Sequence, residues 1–276
     1  MSAAHPIHYV VVDLEATCWS LEADRDLRLR QSEECEIIEI GAVALDADLT
    51  PLDEFQTFVR PVRHPILSAF CTRLTSITQQ DVDPATTFPS AYAAFVSWMG
   101  GHTDGLTFVS WSRWDHRQLA RECRLHQIPH PLWHPVDAKL EFTEWARAKT
   151  GLRLRYGLAR TLEYLNIPFS GTAHRGIDDA RNLVQVFQHI RDLGRISDGA
   201  RRTLAVMLQR DPTPTHVGHL KSVDANARQW FPRVKEELIR LGLAEDTGLG
   251  RGLVLTDRGR GAVTSGKIDL TPTGDP

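Results

Sequence analysis

The chain has no long apolar run, few cysteines and almost no charge imbalance, and each shortage removes a class of function. No segment approaches the roughly 18 consecutive apolar residues of a membrane span, and Met1 to Pro6 lacks the basic and then apolar texture of a secretory leader. A cytoplasmic protein without membrane contact is expected. Four cysteines in 276 residues, Cys18, Cys35, Cys71 and Cys123, are scattered without a close pair, which excludes a Cys-x-x-Cys zinc or redox motif. Reduced, buried thiols are expected instead. There is no Gly-x-Ser-x-Gly elbow and no Gly-x-x-x-x-Gly-Lys loop, so a Ser-His-Asp hydrolase and a P-loop phosphate cradle are disfavoured. The net charge of −3 argues against gripping long duplex nucleic acid by phosphate contacts alone. Residues 1–195 hold 20 Lys+Arg against 25 Asp+Glu, and residues 196–276 hold 12 against 10, so the acidic excess lies in the first part.

What is present is an ordinary globular composition, 42% hydrophobic and 24% charged, long enough for about two domains. Tyr9–Leu14, Ile37–Leu45 and Glu54–Val59 are apolar runs that read as three early strands. Glu22–Glu36 between the first two is charge-dense and reads as an exposed loop. Phe88, Tyr92, Phe95 and Met99 form one helical face. Leu106–Ser110 reads as a fourth strand, Asp115–His126 as a helix and the run around Val136 as a fifth strand. Leu140–Ala148, Leu158–Leu165 and Ile177–Leu193 then carry helical spacing. Strands followed by alternating helix and strand imply an α/β fold with a mixed five-stranded sheet flanked by helices. A boundary falls near residue 196, giving domains 1–195 and 196–276. In the second, the Phe231–Leu241 helix precedes short strands Leu243–Glu245 and Leu253–Leu255 around Gly248, Gly250 and Gly252. Helix, strand, turn, strand suggests a small winged-helix-like domain.

Three acidic features carry chemistry. Asp13 and Glu15 alternate in the first strand, so they share one face while Val10, Val12 and Leu14 pack on the other. Two neighbouring acids repel, and hard oxygen ligands of this kind suit magnesium or manganese. A strand end merely turning to water is the alternative. Asp115 follows the fourth strand, and alone it would be read as a helix cap. His174-Arg-Gly-Ile-Asp178-Asp179 opens the long helix. Asp179 precedes Leu183, Val186 and Ile190 by four, seven and eleven residues, which turns it with the buried face, whereas Asp178 falls on the water side and helps the helix start. His174 can deprotonate water because imidazole titrates near neutral pH. Four carboxylates and a histidine fit two-metal phosphoryl chemistry, with cations about 4 Å apart and no protein nucleophile.

The order Asp13-Leu-Glu15-Ala-Thr17-Cys18-Trp19, Glu36-Ile-Ile-Glu39-Ile-Gly41, Phe70 to Thr78, Asp115 and His174 to Asn182 resembles the DEDDh 3′-to-5′ exonucleases. Within them it is similar to the branch of ERI-1, the three-prime histone mRNA exonucleases and KapD-like bacterial proteins, over residues 8–192. The resemblance implies a ribonuclease H-like fold and two Mg²⁺ ions, replaceable by Mn²⁺, held by Asp13, Glu15, Asp115 and Asp179. It implies His174 as general base and single-stranded 3′ ends, RNA before DNA, as substrate, with release of nucleoside 5′-monophosphates. It also implies contact of Thr17 and its successors with the terminal nucleotide. Trp19 reads equally as a base-stacking side chain or as core.

Arg113, Arg117, Arg121 and Arg124 fall at spacings of four, four and three, a stripe that reads as a solvated helix face before a phosphate track. Arg153, Arg155 and Arg160 leave the same two readings. In the second domain Arg233, Lys235 and Arg240 mix with Glu236 and Glu237, so a protein partner or homodimer competes with nucleic-acid contact. The rival to an enzyme is a regulator that uses an exonuclease-like fold only to bind nucleic acid or a partner.

Overall fold

The computed structural model describes residues 6–20, 34–100, 106–130, 133–191, 196–221, 223–248, 252–264, 268 and 270. The chain divides into two compact units, residues 1–190 and 191–276.

The first unit is built on a five-stranded sheet in the order β3-β2-β1-β4-β5. Its strands are β1 (Tyr9–Ala16), β2 (Ile37–Leu45), β3 (Pro51–Phe58), β4 (Thr107–Ser110) and β5 (His134–Asp137). The β1–β2 and β2–β3 pairs are antiparallel, and β1–β4 and β4–β5 are parallel. The helices are α1 (Ala69–Thr75), α2 (Gln79–Val82), α3 (Phe88–Trp98), α4 (Arg113–Leu125), α5 (Ala138–Thr150), α6 (Leu158–Tyr164) and α7 (Gly176–Ile190). Both faces of the sheet are covered, which is why β2 reads as an unbroken buried run rather than an alternating one. Val10, Val12, Leu14, Ile40 and Ala42 pack with Phe88, Tyr92 and Phe95 of α3 and Leu119 of α4. Val11, Val43 and Val109 pack on the opposite face with Phe142 of α5 and Leu183, Val186 and Phe187 of α7. Burying each such large side chain contributes roughly 1.5–3 kcal/mol. The four cysteines are free and buried, as expected.

Three local readings change. The helix after β4 begins at Arg113 because Ser112, in extended conformation, caps it by accepting from the Trp114 amide; Asp115 is left free to turn inward. The third strand starts at Pro51, earlier than its apolar run, because it pairs along the whole of β2. The expected loop Glu22–Glu36 lies outside the described residues up to residue 33, but its end is not exposed. Cys35 and Glu36 are buried, and the Glu36 carboxylate accepts from the amides of Val62, Arg63 and His64 at 2.8, 2.9 and 2.7 Å. Three backbone donors offset the cost of taking that charge out of water.

The second unit runs α8 (Asp198–Arg210), α9 (Val217–Leu220), α10 (Ala227–Arg240), β6 (Ala244–Asp246), β7 (Leu253–Leu255) and α11 (Asp257–Thr264). β6 and β7 form an antiparallel ladder, and Thr215 bridges to Leu253. Leu204 and Met207 of α8 and Val234 and Leu238 of α10 share a core with Leu253 and Leu255. Of the basic residues singled out on α10, Lys235 is ion-paired to Asp246.

Candidate active site

Three backbone segments, β1, α4 and the entry to α7, converge beyond the end of β4, which runs parallel to β1. β1 carries Asp13 and Glu15 on the face it shares with Val11, as strand alternation requires. Across the antiparallel ladder Asp13 stands opposite Gly41 and Glu15 opposite Glu39. Asp115, 5% exposed in the first turn of α4, accepts from the Leu14 amide of β1 at 3.2 Å. One hydrogen bond thus ties the third acid to the strand carrying the first two.

The last pair comes from the entry to α7. His174 has a left-handed backbone, φ 62°, a conformation that costs a non-glycine residue energy and recurs at functional sites. Its amide donates to Asp179 Oδ2 at 3.1 Å, bending the loop back over the helix start. Glu15, His174 and Asp179 each offer a ligand atom, all within 4.8 Å of one another. Asp178 turns away, accepting from the Thr172 amide at 2.9 Å and pairing with Arg181 at 3.0 Å. The helix phase that separates Asp179 from Asp178 in the sequence separates them in space.

The electrostatics show what the cluster would attract. Burial first, then the charges of Asp115, Glu15, Asp179 and Glu39, hold the Asp13 carboxyl well above the usual carboxylate range. Glu15 is pushed up to about 9 by burial and by Asp179, Glu39 and Asp115. Burial pushes Asp115 up to about 7 against the opposing hydrogen bond from Leu14, and burial also raises Asp179 against the His174 amide. Four acids in this state need a positive countercharge to ionise together near neutral pH. Arg175 is close by but is paired to Glu39 at 3.2 Å. Hard carboxylate oxygens with an imidazole beside them are a donor set that suits a divalent cation, and Asp13, Glu15, Asp115 and Asp179 are the residues that would hold it.

The remaining expected residues sit differently. Thr17 is buried, and its hydroxyl accepts from the Glu36 amide at 2.9 Å, so its side chain fastens the end of β1 to the entry of β2. Trp19 is partly exposed, with its ring edge-on to His64 at 4.9 Å. The arginine stripe is not uniform: Arg113, Arg117 and Arg124 are exposed, but Arg121 folds inward onto the Cys35 carbonyl and Gln118. Arg153 pairs with Glu144 at 3.2 Å, and Arg160 lies over the Tyr156 ring.

Two acids were missed as site residues. Glu39, fully buried, accepts from the Gly176 amide at 3.0 Å and from Gln56 at 2.6 Å. Glu36 holds the loop that carries His64. The available signal was an acid at each end of an otherwise apolar tetrapeptide, Glu36-Ile-Ile-Glu39, at the entry to a strand buried on both faces.

Comparison with known proteins agrees with this geometry. Residues 10–187 match the family described as exonuclease, RNase T. The 3′-5′ exonuclease Snipper of Drosophila melanogaster is 32% identical over 202 residues, covering 66% of this chain and 68% of that protein. ERI1 exoribonuclease 2 of Mus musculus is 32% identical over 232 residues, 74% of this chain but only 31% of that longer protein. The nuclease domain of 3′hExo, described as a DEDDh family member bound to rAMP, is 29% identical and superposes with a TM-score of 0.55 over 67% of this chain and 90% of that domain. The sheet order, the acid set and these similarities agree that the chain belongs to the RNase T exonuclease family, with the ribonuclease H-like fold of the DEDDh 3′-5′ exonucleases.

Proposed function

We propose that the chain is a metal-dependent 3′-to-5′ exoribonuclease that removes nucleoside 5′-monophosphates from single-stranded ends. The observation that carries this reading is the convergence of Glu15, His174 and Asp179 within 4.8 Å, beside an Asp115 bonded to the strand that bears Asp13. Divalent magnesium, with manganese able to substitute, would neutralise the four carboxylates and the charge that builds on the phosphate oxygens. Asp13, Glu15, Asp115 and Asp179 would hold the cation from three separately anchored backbone segments. His174, exposed at the rim, takes the proton from the attacking water. The water oxygen bonds to phosphorus, and the bond from phosphorus to the 3′ oxygen of the preceding nucleotide breaks. No side chain of the protein is alkylated or phosphorylated on the way.

RNA is favoured over DNA because a similar solved domain is bound to rAMP and a similar protein is named an exoribonuclease. For the second unit we propose a winged-helix-like module that binds nucleic acid, a protein partner or a second copy of the chain. The three helices followed by the β6–β7 ladder support the module, and the pairing of Lys235 weakens α10 as a phosphate-binding helix.

The test is stepwise hydrolysis. Purified protein with 3′-extended, 5′-labelled single strands and Mg²⁺ is expected to give a ladder of products shortened from the 3′ end, faster on RNA than on matched DNA, and none after Asp13→Ala. Intact strands across Mg²⁺, Mn²⁺ and a range of lengths would overturn the assignment.

A further inference from the structure

Glu39 lies outside the ligand set yet faces it across the ladder, directly opposite Glu15. Like charges placed so repel, and a strand position that is 0% exposed is a costly place for a carboxylate. What satisfies it points to its use. Its Oε2 accepts both the Gly176 amide at 3.0 Å and Arg175 Nε at 3.2 Å, and its Oε1 accepts Gln56 Nε2 at 2.6 Å. Gly176 is the first residue of α7, and its amide has no partner within its own helix. Arg175 and Gly176 immediately follow His174 and precede Asp179, the two groups that the entry and first turn of α7 contribute. The Arg175 guanidinium also rests 5.2 Å above the Phe58 ring, so β2 and β3 both grip this point.

We propose that Glu39 is a positioning residue: its carboxylate latches the first turn of α7 to β2 and so fixes the separation of His174 and Asp179 from Glu15. The inference rests on the exonuclease reading for its kinetic consequence but not for its structural one. Glu39 pairs with Arg175 through one edge of its carboxylate, and the acceptor atom that meets the Gly176 amide is the part that holds the helix mouth.

The Glu39→Gln and Glu39→Leu proteins separate the two. The Gln amide oxygen still accepts from Gly176, and Gln56 can rotate its own amide to meet the new NH₂ group. Glu39→Leu removes the acceptor at similar size. Expected for Glu39→Leu are a fall in kcat of about 100-fold with KM changed less than about 3-fold, as for a displaced catalytic group, and Mn²⁺ binding by calorimetry weakened by about tenfold or more. Hydrogen exchange of the peptide 174–180 should accelerate. Glu39→Gln should restore kcat and Mn²⁺ affinity to within about tenfold of wild type and keep the peptide protected. Equal losses in Gln and Leu, or wild-type exchange and Mn²⁺ affinity in Leu, overturn the latch. If Glu39→Leu does not fold, Glu39→Gln decides alone, and loss of peptide protection in that protein overturns it. Wild-type protein that binds Mn²⁺ but cleaves no strand defeats the exonuclease reading, while exchange and Mn²⁺ affinity still judge the latch.

Discussion

Gly41 of β2 and Gly176 of α7 meet backbone to backbone: a β-carbon on Gly41 would overlap the Gly176 carbonyl carbon and the Ile177 nitrogen. A β-carbon on Gly176 would in turn lie 3.0 Å from the Asp13 carbonyl oxygen and 3.2 Å from the Gly41 nitrogen. Neither contact yields by rotating a side chain. The missing side chains are what let the helix mouth reach the strand bearing Asp13 and Glu15. Gly41→Val is therefore expected to push α7 off the sheet, at about 1–3 kcal/mol in stability. Misplacing Asp179 and His174 should lower kcat about 100-fold. Thermal unfolding and single-turnover hydrolysis check the pair of numbers; a variant with native activity would mean that the helix mouth does not set the site.

Removal of divalent metal should make stability depend on pH in a stated direction. Burial and mutual repulsion raise Asp13, Glu15 and Asp115 in the fold, Glu15 to about 9 and Asp115 to about 7. Their unfolded values lie near 4, so between about pH 4 and 9 the folded state binds more protons than the unfolded one, and stability falls as pH rises. Above the folded values the repulsion is fully felt. The gain in Tm on adding Mg²⁺ to chelator-treated protein is expected to be small at pH 5.5 and large at pH 8. Asp13→Asn should raise the metal-free Tm at pH 8 while abolishing the Mg²⁺ gain. A Mg²⁺ effect independent of pH would contradict this account of the cluster.

Residues 10–15 show why part of the site is legible in sequence. Asp13 and Glu15 break an otherwise apolar strand, and alternation alone places them on one face, where the structure has them. Asp179 and Asp178 are likewise resolved by helix phase. Legibility ends where a contact joins distant segments. The bond from Gly176 to Glu39 spans 137 positions, and that from Leu14 to Asp115 spans 101, and no local period announces either. Thr17, whose contact with the terminal nucleotide is implied by the family resemblance alone, also accepts the Glu36 amide on its hydroxyl, a contact across 19 positions that the sequence does not announce. Arg121 leaves its stripe for the same kind of reason, drawn inward by the Cys35 carbonyl.

His130 should make the protein sensitive to acid independently of the site. It is partly buried beside Trp133, with its ring 5.3 Å from that of His116, and neither ring nitrogen finds a hydrogen-bond partner among the described residues. Burial first, then the charge of His116, lowers it to about 4. A histidine protonated in the unfolded chain near 6.5 but only near 4 in the fold takes up a proton on unfolding between those values. Its contribution is present above pH 6.5 and is lost as pH falls toward 4, with a slope of up to about 1.4 kcal/mol per pH unit. His130→Phe should flatten the decline of stability between pH 6.5 and 4, measured by urea unfolding, with little change at pH 8. An unchanged slope would locate the acid sensitivity elsewhere.

Glu36 offers a separable test of the rim. Its amide holds Thr17 at the end of β1, and its carboxylate holds the amides of Val62, Arg63 and His64, so one residue sets both partners of the Trp19–His64 ring contact. Glu36→Ala leaves three donors to find water. Because Val62 and Arg63 are exposed, the cost should stay near the lower end for lost charge-assisted bonds, about 2 kcal/mol. The four acids are anchored elsewhere, through β1, α4 and α7, so kcat should change little. If Trp19 stacks on a base of the substrate, a contact worth about 1–3 kcal/mol, both Glu36→Ala and Trp19→Ala should raise KM for a single strand by about tenfold, and the double variant should do no more than either alone. Additive effects would mean that Glu36 and Trp19 act on different steps, and a fall in kcat at constant KM would place Glu36 with Glu39 as a support of the acids themselves.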